Sequence, residues 1–544
     1  MPWEFVLTAD RSSFTDYGGN SSLGYVACMP ARLVPRLFMD RFFTPPAEAD
    51  GEGKAVYAPY ALRKVEAVLV NAGYRDVAVV PPERLERAVG PGTKLVGVSA
   101  GHDPYGLSPV STFLTMILGG GETWTARFFR ELGERVERLK AKYGFKAIVG
   151  GPGVEQLMRA GRPRWADVIF VDDVEVTLPK WLPKILAGEE VPPVIRPGVN
   201  EYPAAEDIPA IVNPARLGEV QITRGCPRGC QFCSVTPVTF RSIPISTVVR
   251  EVEVNLRAGW TQVDLITDDL LLYGTSPYGP NRLRVNHDAI VKLYESIRSV
   301  EAGGRKVRHI FFSHVSAAPV VESPRTVKAV AELGGLGPDK GDTPVIGLET
   351  GSVRILNKYM RNKAYPYPPE RWHDLIIEAT AILNENHIYP AYTMTIGYPD
   401  ETEEDIRQSL EIVDKIVDHG FVAWIFPLPV VPMYTSALRN LRHPTLDYLP
   451  EGFWDILYAS WRYDLRVTRR LAPVLLQNSR NKVVSKIVNY MIEKVFSSLD
   501  SMFQQLKESR GRSSSLLSSI YLDNALGVLK AIYWLTRISF GLRE

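Results

Sequence analysis

Apolar residues in the first 190 positions fall into short β-branched runs separated by segments of helical periodicity. EFVLT (4–8), DVAVV (76–80), KLVGVS (94–99), KAIVGG (146–151) and DVIFVDD (167–173) read as buried strands. Between them, ALRKVEAVLVNAGY (61–74) and TARFFRELGERVERLKAKYG (125–144) place apolar residues at three- and four-residue steps and close on glycine. Strand-helix alternation predicts an α/β, doubly wound Rossmann-like parallel sheet over residues 1–190, whose ligands lie beyond the carboxyl ends of the strands. Those ends carry SAGHDPYG (99–106), GGPG (150–153) and VDDVE (171–175).

The proline-rich passage 191–215 breaks the pattern and predicts a linker. Alternation resumes with GEVQIT (218–223), QVDLITDD (262–269), RHIFFSH (308–314), PVIGLET (344–350), YPAYTMTIG (389–397) and VAWIFPLP (422–429). Six strand-helix repeats predict a partial or full βα barrel over 216–440, with its chemistry at the strand carboxyl ends. From 441 to 544 the strands stop and the pattern predicts a helical domain. In 481–506 the residues Val484, Ile487, Met491, Val495, Met502 and Leu506 form an apolar stripe, and 524–542 is apolar apart from Lys530 and Arg537. These two segments are candidates for peripheral membrane contact.

A length of 544 residues favours about three domains. At 45% hydrophobic, 23% charged and net charge +2, the composition is that of a globular protein and offers no general basic excess for nucleic acid. Nothing in the sequence resembles a secretory leader or a charge-free spanning segment, which predicts a cytoplasmic, reducing location.

Three of the four cysteines fall within eight residues, in TRGCPRGCQFCS (223–234). Cys226, Cys230 and Cys233 are too closely strung to pair with one another, and Cys28 lies far off, so a shared metal is the economical reading. A structural zinc site wants four protein ligands, and no histidine or fourth cysteine is near. Three thiolates on a four-iron cluster leave one iron without a protein ligand, open to substrate.

This C-x-x-x-C-x-x-C spacing, with Phe232 before the last cysteine, resembles the radical S-adenosylmethionine enzymes. The resemblance implies a [4Fe-4S] cluster on Cys226, Cys230 and Cys233, with S-adenosylmethionine bound at the open iron and cleaved to a deoxyadenosyl radical. "ITDDLLLYG" resembles the second-strand segment and implies cofactor contacts at Thr267 and Asp268. "IGLETGSVRILNKYMRN" resembles the fourth-strand region, with Glu349 as the polar contact, and "MTIGYPDETEEDI" the adenine segment, with Ile396 and Gly397 against the base. Each also has a purely structural reading, as a strand leaving through a glycine turn and as a helix cap at Thr402 and Asp405. The sixth-strand segment "PLPVVPMYTSAL" matches less well, lacking the usual glycine.

A doubly wound domain ahead of such a barrel resembles the cobalamin-dependent, methyltransferase-like subfamily. That resemblance implies cobalamin between the sheet's strand ends and the barrel mouth, with contacts at Ser99, His102, Asp103, Gly150, Gly151, Gly153 and Asp172. Glycines there permit close backbone approach. The D-x-H-x-x-G loop of cobalt-ligating domains is not matched: around His102, Ala100 and Tyr105 stand in the Asp and Gly places, so cobalt ligation is not expected. Cys28 reads as a buried small hydrophobe. The expected function is methyl transfer to an unactivated carbon. The alternatives are radical modification of a lipid or isoprenoid without methyl transfer, and a non-catalytic cobalamin or iron-sulfur sensor. The expected partners are a small-molecule, lipid, peptide or protein substrate and an electron donor such as ferredoxin or flavodoxin.

Overall fold

The computed structural model describes residues 2–17, 21–198, 200–276, 278–279, 282–477, 500–501 and 503–511. Its first layer is a six-stranded sheet of β1 (Phe5–Ala9), β2 (Val77–Val79), β3 (Leu95–Ser99), β4 (Lys146–Gly150), β5 (Val168–Phe170) and β6 (Val194–Ile195), ordered β2-β1-β3-β4-β5-β6. All its pairings are parallel. The strands are continuously apolar because both faces are covered. In β1, Phe5 and Leu7 enter one core with Leu62, Leu178 and Leu182, whereas Val6 enters another with Phe129, Leu132 and Val136. The first face is covered by α1 (Tyr60–Asn71) and, later in the chain, by a helix after β5. The second face is covered by the long helix 124–143.

The helices between β3 and β5 are α2 (Pro109–Ile117), α3 (Trp124–Tyr143) and α4 (Val154–Ala160); α5 (Val174–Ala187) follows β5. Ser108 and Thr123 cap α2 and α3, and α3 ends on Gly144 at φ 76°. The first part of the expected linker departs from expectation: Val194 and Ile195 pair with β5 as a sixth strand. Pro193 is tolerated because this is an edge strand, where its carbonyl still accepts from the Ile169 N–H at 2.9 Å.

The barrel strands are β7 (Glu219–Gln221), β8 (Gln262–Ile266), β9 (His309–Phe312), β10 (Val345–Glu349), β11 (Ala391–Ile396) and β12 (Trp424–Pro429). They form two three-stranded parallel sheets, joined by a single parallel bridge between His314 and Val345. Among the described residues β7 and β12 are not paired, so the barrel is partial. Its outer layer comprises α6 (Ile245–Ala258), α7 (His287–Arg298), α8 (Ala317–Glu322), α9 (Pro324–Gly334), α10 (Val353–Tyr359), α11 (Trp372–Glu385) and α12 (Glu403–Asp418). The expected helical domain begins with α13 (Phe453–Gln477), which lies on the barrel, with Asp464 accepting from the Ile425 N–H at 2.9 Å. Trp461 stacks on Phe503 at 4.1 Å. Most of the apolar stripe in 481–506, and all of 524–542 with Lys530 and Arg537, lie outside the described residues.

Sheet and barrel are pinned by buried charge. Lys64 on α1 pairs with Glu251 on α6 at 2.5 Å, and the Tyr60 hydroxyl donates to the same carboxylate. Arg224 and Arg241 both reach Asp173, at 2.7 and 2.5 Å, and Arg224 also reaches Glu175 at 2.7 Å. Arg216 donates to the carbonyls of Ser13 and Thr15 beyond β1. These bonds aim the carboxyl ends of the first sheet at the barrel.

Candidate active site

The loop after β7 is closed at its base by an antiparallel pairing of Thr223–Arg224 with Arg241–Ser242. Gly225 holds φ 77°, and a side chain there would put its Cβ 2.4 Å from the Val238 carbonyl oxygen, so only glycine fits. Within the loop the Cys233 N–H donates to the Cys230 carbonyl, the Thr236 hydroxyl donates to the same carbonyl at 2.8 Å, and the Val235 N–H points at Cys233 Sγ at 3.4 Å. Cys230 is buried; Cys226 and Cys233 are half-buried. Burial pushes the Cys226 and Cys233 thiols up to about 12 and about 11, and raises Cys230 as well. A thiolate in this loop therefore needs a metal to carry its charge.

Among the described residues no three cysteine, histidine or carboxylate side chains stand in metal-ligand geometry. The loop gathers the three thiols without closing them on one point. The donor set still fits a three-thiolate iron cluster, because no fourth thiol joins it: Cys28 is half-buried elsewhere, beside Tyr25, Asp103 and Ser111. Burial and Asp103 push its thiol up to about 12, which keeps it neutral, as the expected small hydrophobe would be, although it is half-buried rather than buried.

Arg228 locks the loop to the barrel. Fully buried, it pairs with Asp269 at 3.0 Å and donates to the Asn362 carbonyl at 3.1 Å. Thr267 ties strands together, sharing a 2.7 Å hydroxyl contact with Thr223 and accepting from the Asp269 N–H. Asp268 is half-buried, and burial together with Asp269 pushes it up to about 6. Both members of this acidic pair meet the cysteine loop: Asp269 pairs with Arg228, and Asp268 accepts from the Gly225 backbone.

Glu349 ends β10 in the left-handed region, φ 64°, at a bulge in the β10-β11 pairing. Its Oε1 accepts from Lys363 Nζ at 2.9 Å, and both side chains are buried. Gly347 makes the space for this pair: a Cβ there would lie 1.9 Å from Glu349 Oε1 and 2.3 Å from Lys363 Nζ. Burial works against the lysine's charge, but Glu349 and Cys230 outweigh it and hold its pKa above the ordinary range.

Ile396 is buried in the barrel core, and Gly397 follows at φ 101°. Glu401 Oε2 accepts from the N–H groups of Gly397 and Tyr398, whereas its Oε1 is buried without a partner. Burial pushes this carboxyl up to about 7. Phe232 meets Tyr398 edge-on at 6.2 Å, and Tyr398 stacks on Tyr359 at 4.7 Å, so the cysteine loop rests on the segment that follows β11. Thr402 and Asp405 do form a capping box, so that segment serves the helix as well.

Just beyond β3, His102 is solvent-accessible yet ringed by protein, and no side-chain hydrogen bond engages its ring among the described residues. That enclosure holds its pKa below the ordinary histidine range; Arg216 adds to the effect and Asp103 opposes it. His314, at the end of the third barrel strand, is also accessible and held low, chiefly by burial and in part by His102. The two histidines, one from the sheet and one from the barrel, are thus near enough to feel each other's charge.

Asp103, by contrast, turns inward: it accepts from Ser108 N–H, the Ser111 and Thr125 hydroxyls, and Gln156 Nε2. Gly151 and Gly153 are required by their own neighbours, since a Cβ would lie 2.6 Å from Ser99 Oγ in the first case and 1.9 Å from the Gly101 carbonyl oxygen in the second. Beneath them Ser99, Gly150 and Gly151, with Gly97, Leu7 and Val174, line a small cavity of ≈ 50 Å³. Asp172, at φ 63°, is exposed and accepts from the Tyr202 hydroxyl. Its neighbours Asp173 and Glu175 take the contacts to the barrel.

Lys363, Asp269, Arg228 and Glu401 were not reached from the sequence. The run "NKYMRNK" held the only local signal for Lys363, and "YPDE" that for Glu401.

Residues 220–413 match the radical SAM superfamily. The chain is 25% identical over 293 residues to a tRNA-2-methylthio-N(6)-dimethylallyladenosine synthase of Mycolicibacterium smegmatis, covering 53% of this chain and 54% of the relative. It is 26% identical over 251 residues to the enzyme of that name from Nocardia farcinica, covering 46% of each. The chain thus spans about half the length of the curated relatives it matches. Its fold is similar to that of the radical S-adenosylmethionine methyltransferase TsrM from Kitasatospora setae. With tryptophan substrate and aza-SAM bound, that structure gives a TM-score of 0.51 at 15% identity, covering 78% of this chain and 73% of that one. With cobalamin and a [4Fe-4S] cluster bound, the TM-score is 0.51 at 14% identity, covering 80% and 77%.

Proposed function

We propose that this chain, whose residues 220–413 are a radical SAM enzyme domain, is a cobalamin-dependent enzyme that transfers a methyl group to an unactivated carbon of its substrate. The observation that carries the reading is the set of buried bonds from Arg216, Arg224 and Arg241 to Ser13, Thr15, Asp173 and Glu175, which holds the strand ends of a doubly wound sheet against the barrel. When bound, the iron cluster with S-adenosylmethionine supplies a carbon-centred radical, and the corrin supplies a transferable methyl group.

The chain's own residues hold and orient these groups. Cys226, Cys230 and Cys233 supply thiolates, and Arg228 with Asp269 fixes their loop. The protonated Lys363, braced by Glu349, offers a cation beside Cys230 for a carboxylate. Glu401 holds the Gly397–Tyr398 backbone in shape for a base. His102 stands exposed just beyond β3, its ring free of side-chain hydrogen bonds among the described residues. The buried pins Asp173, Glu175 and Glu251 keep sheet and barrel in fixed register, so that methyl donor and radical meet in one place.

The curated relatives' names offer a second chemistry, in which sulfur as well as methyl is added to a tRNA nucleoside. A sulfur donor held by cysteines finds no support in this chain, where Cys28 alone remains outside the motif.

Anaerobic incubation with S-adenosylmethionine, reductant, cobalamin and cell-extract metabolites tests the proposal. Methyl transfer yields deoxyadenosine, S-adenosylhomocysteine and a methyl-sized mass gain together. Deoxyadenosine alone favours radical modification without methylation, and neither product favours a sensor.

A further inference from the structure

The formal net charge of the chain is only +2, yet the cysteine loop and the two segments bonded to its outer side contain no acidic residue at all. Residues 224–233 carry Arg224 and Arg228, residues 353–363 carry Arg354, Lys358, Arg361 and Lys363, and residues 432–444 carry Arg439 and Arg442. Most of these cations are neutralised from elsewhere. Arg224 pairs with Asp173 and Glu175, Arg228 with Asp269, and Lys363 with Glu349, while Arg354 and Lys358 share Asp400. Arg361, Arg439 and Arg442 are exposed, and among the described residues no carboxylate lies within ion-pair distance of them. Asp447 feels Arg442 only at longer range.

These charges gather where the cysteine loop comes closest to the surface. Gln231, between two of the cysteines, donates its N–H to the Tyr359 carbonyl at 2.9 Å and its side-chain amide to the Lys358 carbonyl at 2.8 Å. Its own carbonyl accepts from the Leu438 N–H, one residue before Arg439. Asn362, beside Arg361, donates to the Arg228 carbonyl at 3.0 Å. Gly229 between them is exposed, with only the Asn362 amide nitrogen near the position of an added side chain. The exposed Gly229 and the half-buried Gln231, each next to the buried Cys230, therefore bring the loop's backbone to the surface on this face.

We propose that the face around Gln231, framed by Arg361, Arg439 and Arg442, is the docking surface for an acidic one-electron carrier protein that reduces the cluster. The proposal rests on the radical reading above. One electron leaves the carrier and one enters the cluster; no bond or proton changes hands. Tunnelling falls off steeply with distance, so a carrier gains most by docking where the loop reaches the surface, and unpaired guanidinium groups steer an acidic partner there.

The test uses the reconstituted full chain and the R361E/R439E/R442E variant. Bleaching of cluster absorbance is followed by stopped flow, with either a reduced acidic bacterial ferredoxin or dithionite as reductant, and ferredoxin binding is measured by calorimetry. Reduction by ferredoxin is expected to slow by about tenfold or more, with weaker binding and a smaller salt dependence, while reduction by dithionite stays unchanged. An unchanged ferredoxin rate overturns the proposal. Equal loss with both reductants, repeated in R361Q/R439Q/R442Q, also overturns it, because the arginines then hold the cluster. A wild-type cluster that ferredoxin reduces but that yields no deoxyadenosine defeats the radical reading and leaves the docking surface standing.

Discussion

Lys363 and Glu349 form the pair on which most of the site's electrostatics turns. Removing the lysine leaves a buried carboxylate unpaired beside Cys230, a change that costs about 3 kcal/mol or more. Lys363→Ala is therefore expected to lower stability by about that amount in denaturant titration and to abolish S-adenosylmethionine binding in equilibrium dialysis. The double variant K363M/E349Q should recover much of the stability and none of the binding; recovered binding would remove the lysine from the site. At this scale the sequence was readable where the chemistry is local. The three cysteines and Phe232 announce themselves by spacing, and Glu349 by its GLETG turn. Lys363, Asp269 and Glu401 acquire their roles only when loops from different strands meet, and no spacing encodes that. Asp269 shows the limit: of two adjacent carboxylates it is the one that pairs with Arg228, and nothing in the sequence around Asp268 and Asp269 says so.

Among the elements, eleven of the twelve sheet and barrel strands announced themselves as apolar runs, because each is buried on one or both faces. β6 did not: two residues among prolines carry too little periodicity, and its place is fixed by β5 alone. The cysteine loop is the element where sequence and geometry constrain each other most. Gly225 sits at positive φ with the Val238 carbonyl 2.4 Å from any added Cβ. Gly225→Ala is expected to spread the base of the loop, so that iron content after reconstitution falls severalfold while the circular dichroism of the fold is kept. Full iron content in that variant would show that the Thr223–Ser242 closure does not shape the cluster site.

In the whole molecule, a near-neutral overall charge conceals two strongly organised distributions, the buried pins between sheet and barrel and the basic rim around Gln231. Composition could not reveal either, since both arise from which residues the fold brings side by side. The order of the domains was legible because strand-helix alternation is a property of sequence, whereas His102 and His314 come near each other only once Arg224, Arg241 and Lys64 have docked the two halves. The central claim is that this junction adjoins an iron cluster with one iron left open for S-adenosylmethionine. Electron paramagnetic resonance of the anaerobically reconstituted, reduced chain tests it most directly. The account predicts about four irons per chain and a cluster signal whose g values move when S-adenosylmethionine is added, both lost in Cys230→Ala. A bound zinc in place of iron, or an iron signal indifferent to S-adenosylmethionine, would contradict it.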